Sequence, residues 1–288
     1  MHSQESTNAS RRTAAIGIFD SGMGGLTVVQ AVTRALPDEA ILYLGDTARL
    51  PYGTKSGATV VYYSKKSARF LLGHDVKMLL VACNTASAFA LEALRDELPV
   101  PVLGAVEPGA EEAVAATLVG RVGVIGTLGT VRSGSYPRAI AARDRRITVA
   151  TLACPLLVPL AEEGWLGDGA GHPLEQAAAV AIAERYLAEL HALDPMLDVI
   201  VLGCTHYPLL RALLERVAAT VWGRPIVLVD SAQAMARAAR RELEARELLS
   251  PARPNPPFRC CLTDETRFGE LGARFLGRAI DEVERVDL

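Results

Sequence analysis

Apolar residues in this chain fall into short unbroken runs separated by longer segments of helical period. The runs at 14–19, 40–44, 76–82, 121–126, 147–153, 198–203 and 225–229 read as buried strands. Between them, 86–98, 175–190 and 209–219 place apolar residues at about 3.6-residue spacing, the mark of helices packed on one face. Strands alternating with helices of this length predict an α/β fold, with parallel sheets covered by helices on both faces. In such sheets ligands bind at the carboxyl ends of the strands.

The pattern occurs twice. Leu79-Leu80-Val81-Ala82-Cys83-Asn84-Thr85 and Val199-Ile200-Val201-Leu202-Gly203-Cys204-Thr205 each run from an apolar strand through a cysteine into a polar helix start. Each half also opens on a glycine-bearing strand that enters a small-residue turn, Ile16-Gly17-Ile18-Phe19-Asp20-Ser21-Gly22 and Val122-Gly123-Val124-Ile125-Gly126-Thr127. The repeat predicts two pseudo-symmetric parallel-sheet α/β domains, each with a cysteine at the same structural place, and an active site in the cleft between them. The expected boundaries are 14–108 for the first domain, completed by 220–288, and 109–219 for the second. The proline-rich 251–257 reads as a linker, followed by a strand at 258–262 and a helix from about Asp264 that returns to the first domain. Residues 1–13 are polar and read as a flexible tail.

Composition narrows the function classes. The 288 residues suit about two domains, and 50% hydrophobic against 22% charged residues excludes global disorder. A net charge of −3 argues against a nucleic-acid binder. The five cysteines are scattered with no C-x-x-C pair, which fits reduced thiols in a cytoplasm better than a disulfide framework or a zinc ribbon. No apolar run reaches the roughly 18 residues of a membrane helix. Arg11-Arg12 lacks the long apolar segment of an export signal behind it.

A helix N-terminus presents unpaired N–H groups and a partial positive charge, which binds carboxylates and favours a nearby thiolate. Asn84-Thr85 reads as the N-cap after Cys83, and Thr205 as the cap after Cys204, with Pro208 near the first helical position. A single buried cysteine is more often a small core residue than a reagent. Two at equivalent strand ends with polar neighbours shift the balance toward function. His206 stands two residues after Cys204, within reach as a base or proton shuttle. Asp20, at the end of the first strand, is the matching candidate for Cys83, although an aspartate there is commonly a turn residue.

Rival chemistries fit less well. Gly22-Met23-Gly24-Gly25-Leu26-Thr27 has Thr27 where a dinucleotide fingerprint needs its third glycine, and no Walker loop is present. Cys204 and His206 lack further clustered metal ligands, so no metal site is expected. A Cys–His hydrolase leaves Cys83 without a role. Racemisation uses both thiols, because it takes a proton from one face of a carbon and returns one to the other. Enantiomers have equal free energy, so two matched groups suit it.

Several motifs resemble those of the bacterial glutamate racemases, within the aspartate/glutamate racemase family. They are Ile18 to Thr27, Gly45 to Gly53, Ala82-Cys83-Asn84-Thr85-Ala86-Ser87, Ala153 to Leu160 and Gly203-Cys204-Thr205-His206-Tyr207-Pro208-Leu209. The resemblance covers the chain from about Ile16 onward. It implies a cofactor-independent isomerase that interconverts L- and D-glutamate for peptidoglycan, most simply a cytoplasmic homodimer. By the same resemblance Cys83 handles the proton on the D side with Asp20 beside it, and Cys204 on the L side with His206. The family's loop acid falls on Glu162, with Glu163 adjacent. Implied substrate contacts are Asp20, Ser21, Tyr52, Gly53, Asn84, Thr85, Thr205 and His206. An aspartate or other acidic amino-acid racemase is the nearest alternative, and a non-catalytic amino-acid-binding protein the remoter one. Cys154 and Cys260-Cys261 read as structural, Arg143, Arg145 and Arg146 as a solvated helix end, and His74, His172 and His191 as surface residues.

Overall fold

A computed structural model describes residues 11–288 apart from 168, 170, 267 and 281. The chain divides into two compact units, Met1–Ala105 with Met235–Leu288, and Val106–Ala234. The first ten residues of the expected tail lie outside the described residues. Residues 11–13 are helical rather than loose.

In the first unit, strand β1 (Ile16–Asp20) leads into helix α1 (Leu26–Ala35), β2 (Ile41–Gly45) through two short turns into α2 (Gly57–Leu72), and β3 (Met78–Val81) into α3 (Asn84–Glu97). A short strand β4 (Val102–Gly104) follows. The second unit begins with α4 (Val106–Ala116) and β5 (Arg121–Gly126), then α5 (Leu128–Ser133), α6 (Ser135–Ala141) and β6 (Thr148–Ala153). It continues through α7 (Leu157–Glu163), α8 (Pro173–Leu193), β7 (Val199–Gly203), α9 (Arg211–Trp222) and β8 (Val227–Asp230). The chain then runs through α10 (Ser231–Ala245), in which the boundary between units falls, to β9 (Phe258–Leu262), α11 (Phe268–Leu276) and β10 (Glu284–Arg285).

The strand order is β10-β9-β2-β1-β3-β4 in the first sheet and β6-β5-β7-β8 in the second, and every pairing is parallel. The repeat expected from the cysteine motifs is therefore present in the topology: β2-β1-β3-β4 and β6-β5-β7-β8 are the same arrangement. Each of the seven apolar runs contains or overlaps a strand. The central strands β1, β2, β3 and β7 are buried along their whole length, as parallel strands covered on both faces require.

Two expectations shift. The second unit extends to Ala234 rather than 219, because β8 pairs with β7, Val199 opposite Val227. Strands β4 and β10 were not expected, being only three and two residues long. The C-terminal return holds: β9 pairs with β2, Ile41 opposite Phe258.

A buried polar cluster ties distant segments of the first unit together. Lys77 and Glu39 are almost wholly buried, and Lys77 Nζ lies 2.5 Å from Glu39 Oε2. The same Nζ donates to the carbonyls of Arg12 and Leu248 at 2.6 and 2.8 Å. Ser250 donates to Glu39 through both its N–H and its hydroxyl. Four chain segments thus meet on one ion pair. Removing one partner strands the other charge out of water, so Lys77→Ala is expected to lower stability by about 3–5 kcal/mol in a denaturant titration. A loss under about 1 kcal/mol contradicts this role.

Candidate active site

Parallel pairing brings the ends of β1, β2 and β3 to one edge of the first sheet. The Ala82 N–H donates to Phe19 O at 2.9 Å and the Asp46 N–H to Asp20 O at 3.0 Å, so Asp20, Asp46 and the Cys83 segment are neighbours there. Cys83, Asn84 and Thr85 are all buried. The cap differs from expectation: Cys83 itself is the N-cap, in extended conformation, and its Sγ accepts from the Ala86 N–H at 3.5 Å. Asn84 and Thr85 are the first two helical residues. The sulfur thus stands directly at a helix N-terminus, where the macrodipole favours negative charge.

Asp20 is fully buried, and its Oδ2 accepts the Gly22 N–H at 3.0 Å. This tight approach needs Gly25, where an added Cβ would lie 2.4 Å from Asp20 Cβ. Tyr43, from the middle of β2, donates to Gly22 O at 2.6 Å and secures the same turn. Ser21 is half-buried beside it.

Tyr52 and Gly53 are buried in the loop after β2. The loop is organised by Asp46, a residue the sequence reading quoted within a motif but gave no role. Asp46 accepts from Tyr52 Oη at 2.6 Å, from Arg49 at 2.8 Å and from Thr263 at 3.1 Å. Burial and then the Asp46 carboxylate push the Tyr52 hydroxyl far above its usual value, so it stays a neutral donor. Thr263, from the C-terminal return, was equally unmarked; nothing local in the sequence ties it to a loop more than two hundred residues earlier.

In the second unit, Cys204 follows β7 as Cys83 follows β3. The local structure after it is not an α-helix. A bend leads through Thr205 and His206 into a 3-10 turn, Tyr207–Leu210, with His206 rather than Thr205 at the cap position and Pro208 in its first turn. Thr205 is buried, and its hydroxyl lies 3.4 Å from His206 Nδ1. His206 Nδ1 lies 3.9 Å from Cys204 Sγ, and Nε2 lies 3.1 Å from Glu162 Oε1. Glu162 is half-buried near the end of α7, whereas Glu163 is exposed, which separates the two adjacent acids. Gly164, at φ 78°, ends the helix directly after them.

Burial pulls the His206 imidazole down, but its contacts with Cys204 and Glu162 outweigh this and its pKa is pushed up to about 10. An imidazolium therefore stands 3.9 Å from the sulfur at neutral pH. The position matching Asp20 in this unit is Gly126: Phe19 pairs with Val81 as Ile125 pairs with Leu202. An acid is absent from that place, and the His206–Glu162 pair stands beside the sulfur instead.

The chain matches the model of a family described as Asp/Glu/Hydantoin racemase over residues 18–239. It belongs to that family. A curated glutamate racemase of Geobacter metallireducens is 48% identical over 275 residues, 95% of this chain and 97% of the relative. The solved glutamate racemase isoform RacE1 of Bacillus anthracis superposes with a TM-score of 0.86 at 36% identity, covering 96% of this chain and 98% of its own. The Francisella tularensis glutamate racemase, solved in complex with D-glutamate, has a TM-score of 0.84 at 33% identity, with 96% and 98% covered. Like these relatives, this racemase-family chain consists of parallel-sheet α/β domains.

The other three cysteines are buried as well. Burial raises the Cys154 thiol strongly and pushes Cys260 up to about 12 and Cys261 to about 11, all against reactivity at neutral pH. Of the three histidines read as surface residues, His74 and His172 are exposed and His191 is half-buried, and each has a partner, His74 through the Phe70 carbonyl 2.9 Å from its Nδ1. His172 caps α8 in a capping box with Glu175, and His191 packs edge-on to Trp222 at 5.1 Å. Among the described residues no group of three or more His, Cys, Asp or Glu is placed to hold a metal, and no helix is long and apolar enough to cross a membrane.

With its pKa raised above the ordinary ~6.5, His206 contributes stability that is full below that pH and is lost as pH climbs through about 10. Glu162→Gln removes one source of the shift and is expected to lower the His206 midpoint in an NMR titration. An unchanged midpoint contradicts the contact.

Proposed function

We propose that this protein is a glutamate racemase that moves the α-proton by two thiols, Cys83 and Cys204. The observation carrying this reading is the equivalence of the two cysteines: each stands just beyond the third strand of the same β-order in a different unit. With L-glutamate bound, the Cys204 thiolate takes the α-proton while His206, oriented by Glu162, supports the change of charge on sulfur. The carbanion formed at Cα then takes a proton from the Cys83 thiol on the opposite face, leaving D-glutamate, a Cys204 thiol and a Cys83 thiolate. Exchange of protons with solvent, or a turnover in reverse, restores the starting state. Asp20 serves Cys83 as His206 serves Cys204.

Substrate carboxylates are assigned to Ser21, Asn84, Thr85, Thr205 and the Tyr52–Gly53 segment. Because the Tyr52 hydroxyl already donates to Asp46, that segment contributes through its backbone and ring. The helix N-terminus at Asn84 and Thr85 suits a carboxylate. No cofactor enters this scheme, and the product supplies peptidoglycan synthesis. Five free thiols accord with a reducing, cytoplasmic setting. The expected homodimer is checked by sedimentation at micromolar concentration.

Purified protein with L-glutamate in D2O, and L-aspartate in parallel, tests the reading. Loss of optical rotation with deuterium at Cα from glutamate alone supports it. Turnover of aspartate instead favours the acidic-amino-acid alternative, and inertness toward both favours a binding protein. Cys83→Ala and Cys204→Ala are each expected to cut racemisation by about 10³-fold or more while circular dichroism stays native. Near-normal turnover in either variant removes that thiol from the mechanism.

A further inference from the structure

Two pieces of the family-like motifs have no part in this chemistry: Tyr207, directly after His206, and the stretch opening Ala153-Cys154-Pro155. They meet at one hydrogen bond. Tyr207 is fully buried and its Oη donates to the Cys154 carbonyl at 2.8 Å. Its own N–H donates to Cys204 O at 3.2 Å, closing the turn that carries both Cys204 and His206. The Cys154 carbonyl also accepts the Leu157 N–H at 3.1 Å, so it belongs to the entry of α7, the helix that bears Glu162. The Cys154 N–H in turn donates to Gly126 O at 2.9 Å, anchoring that entry on the end of β5. Burial raises the Tyr207 hydroxyl well above its usual value and keeps it a proton donor.

The contact this clasp spans is exposed enough to need support. His206 and Glu162 side chains are 12% and 26% exposed, so water competes for the 3.1 Å bond between them. Two side chains on separate segments keep such a bond only if the backbones beneath them are held. We propose that Tyr207 is a positioning residue: clamped on the Cys154 carbonyl, its hydroxyl sets the separation at which Glu162 reaches His206 Nε2. The proposal rests on the reading of His206 and Glu162 as partners of Cys204. Tyr186, from α8, meets the same turn from elsewhere, its hydroxyl accepting the Leu156 N–H at 3.3 Å, and provides a comparison.

Tyr207→Phe keeps the ring and leaves the Cys154 carbonyl its bond from Leu157, so no buried group is orphaned. The full-length variant is assayed for racemisation of L-glutamate alone and in a Glu162→Gln background. The expected result is a kcat lowered about ten- to hundredfold with KM within twofold, while Tyr186→Phe changes kcat less than about threefold. In the Glu162→Gln background the further loss from Tyr207→Phe is expected to fall below about twofold, because both changes disable one contact. NMR titration of His206 in Tyr207→Phe is expected to show a midpoint lowered toward that of Glu162→Gln. Wild-type kcat in Tyr207→Phe beside a slow Glu162→Gln enzyme overturns the clasp alone. So does a loss that multiplies in full with Glu162→Gln. Wild-type kcat in Glu162→Gln itself overturns the underlying reading, and the clasp with it.

Discussion

A strand inside a parallel sheet has its backbone committed to two neighbours and its side chains to two helical layers. Reactive chemistry has room only at the residues just beyond its carboxyl end. β3 and β7 are such strands, buried along their whole length, and Cys83 and Cys204 stand just beyond them. Each sulfur is therefore positioned by a fully buried strand of its unit, and its immediate surroundings decide what it does. The glycine-lined turn around Asp20 is built on the end of β1, the Asp46-centred loop on the end of β2, and the turn carrying His206 on the end of β7.

The two units repeat one topology but not one chemistry. Beside Cys83 the first strand ends in Asp20; the matching place beside Cys204 is Gly126, and the polar support comes from an imidazole and a carboxylate on later segments. The starts that follow also differ. Cys83 caps an α-helix with its own sulfur, while Cys204 precedes a 3-10 turn. A reaction between enantiomers of equal energy requires only that both groups cycle between thiol and thiolate, so unlike partners suffice.

Much of this was legible in the sequence because period and repeat are local signals. The seven apolar runs each mark a strand, and the duplicated strand–cysteine motif marks both the two-unit fold and the equivalent cysteines at its strand ends. The rest depends on contacts between distant segments. The end of the second unit is set by β8 pairing with β7, and an apolar run at 225–229 does not report which strand it will pair with. The sequence offers Asn84 and Thr205 as caps by residue type, whereas Cys83 caps its helix with its own sulfur and His206 holds the position before the 3-10 turn without a side-chain cap bond. Asp46 and Thr263 join a loop and a C-terminal strand 217 residues apart, which no spacing rule detects.

The central claim is that one substrate carbon is served by both sulfurs. A crystal structure of the wild-type protein with D-glutamate bound tests it most directly. The account predicts both Sγ atoms within about 4 Å of Cα and on opposite faces of it, the reach that proton transfer requires. A well-ordered D-glutamate with either sulfur out of reach, or with both on the same face, would contradict it.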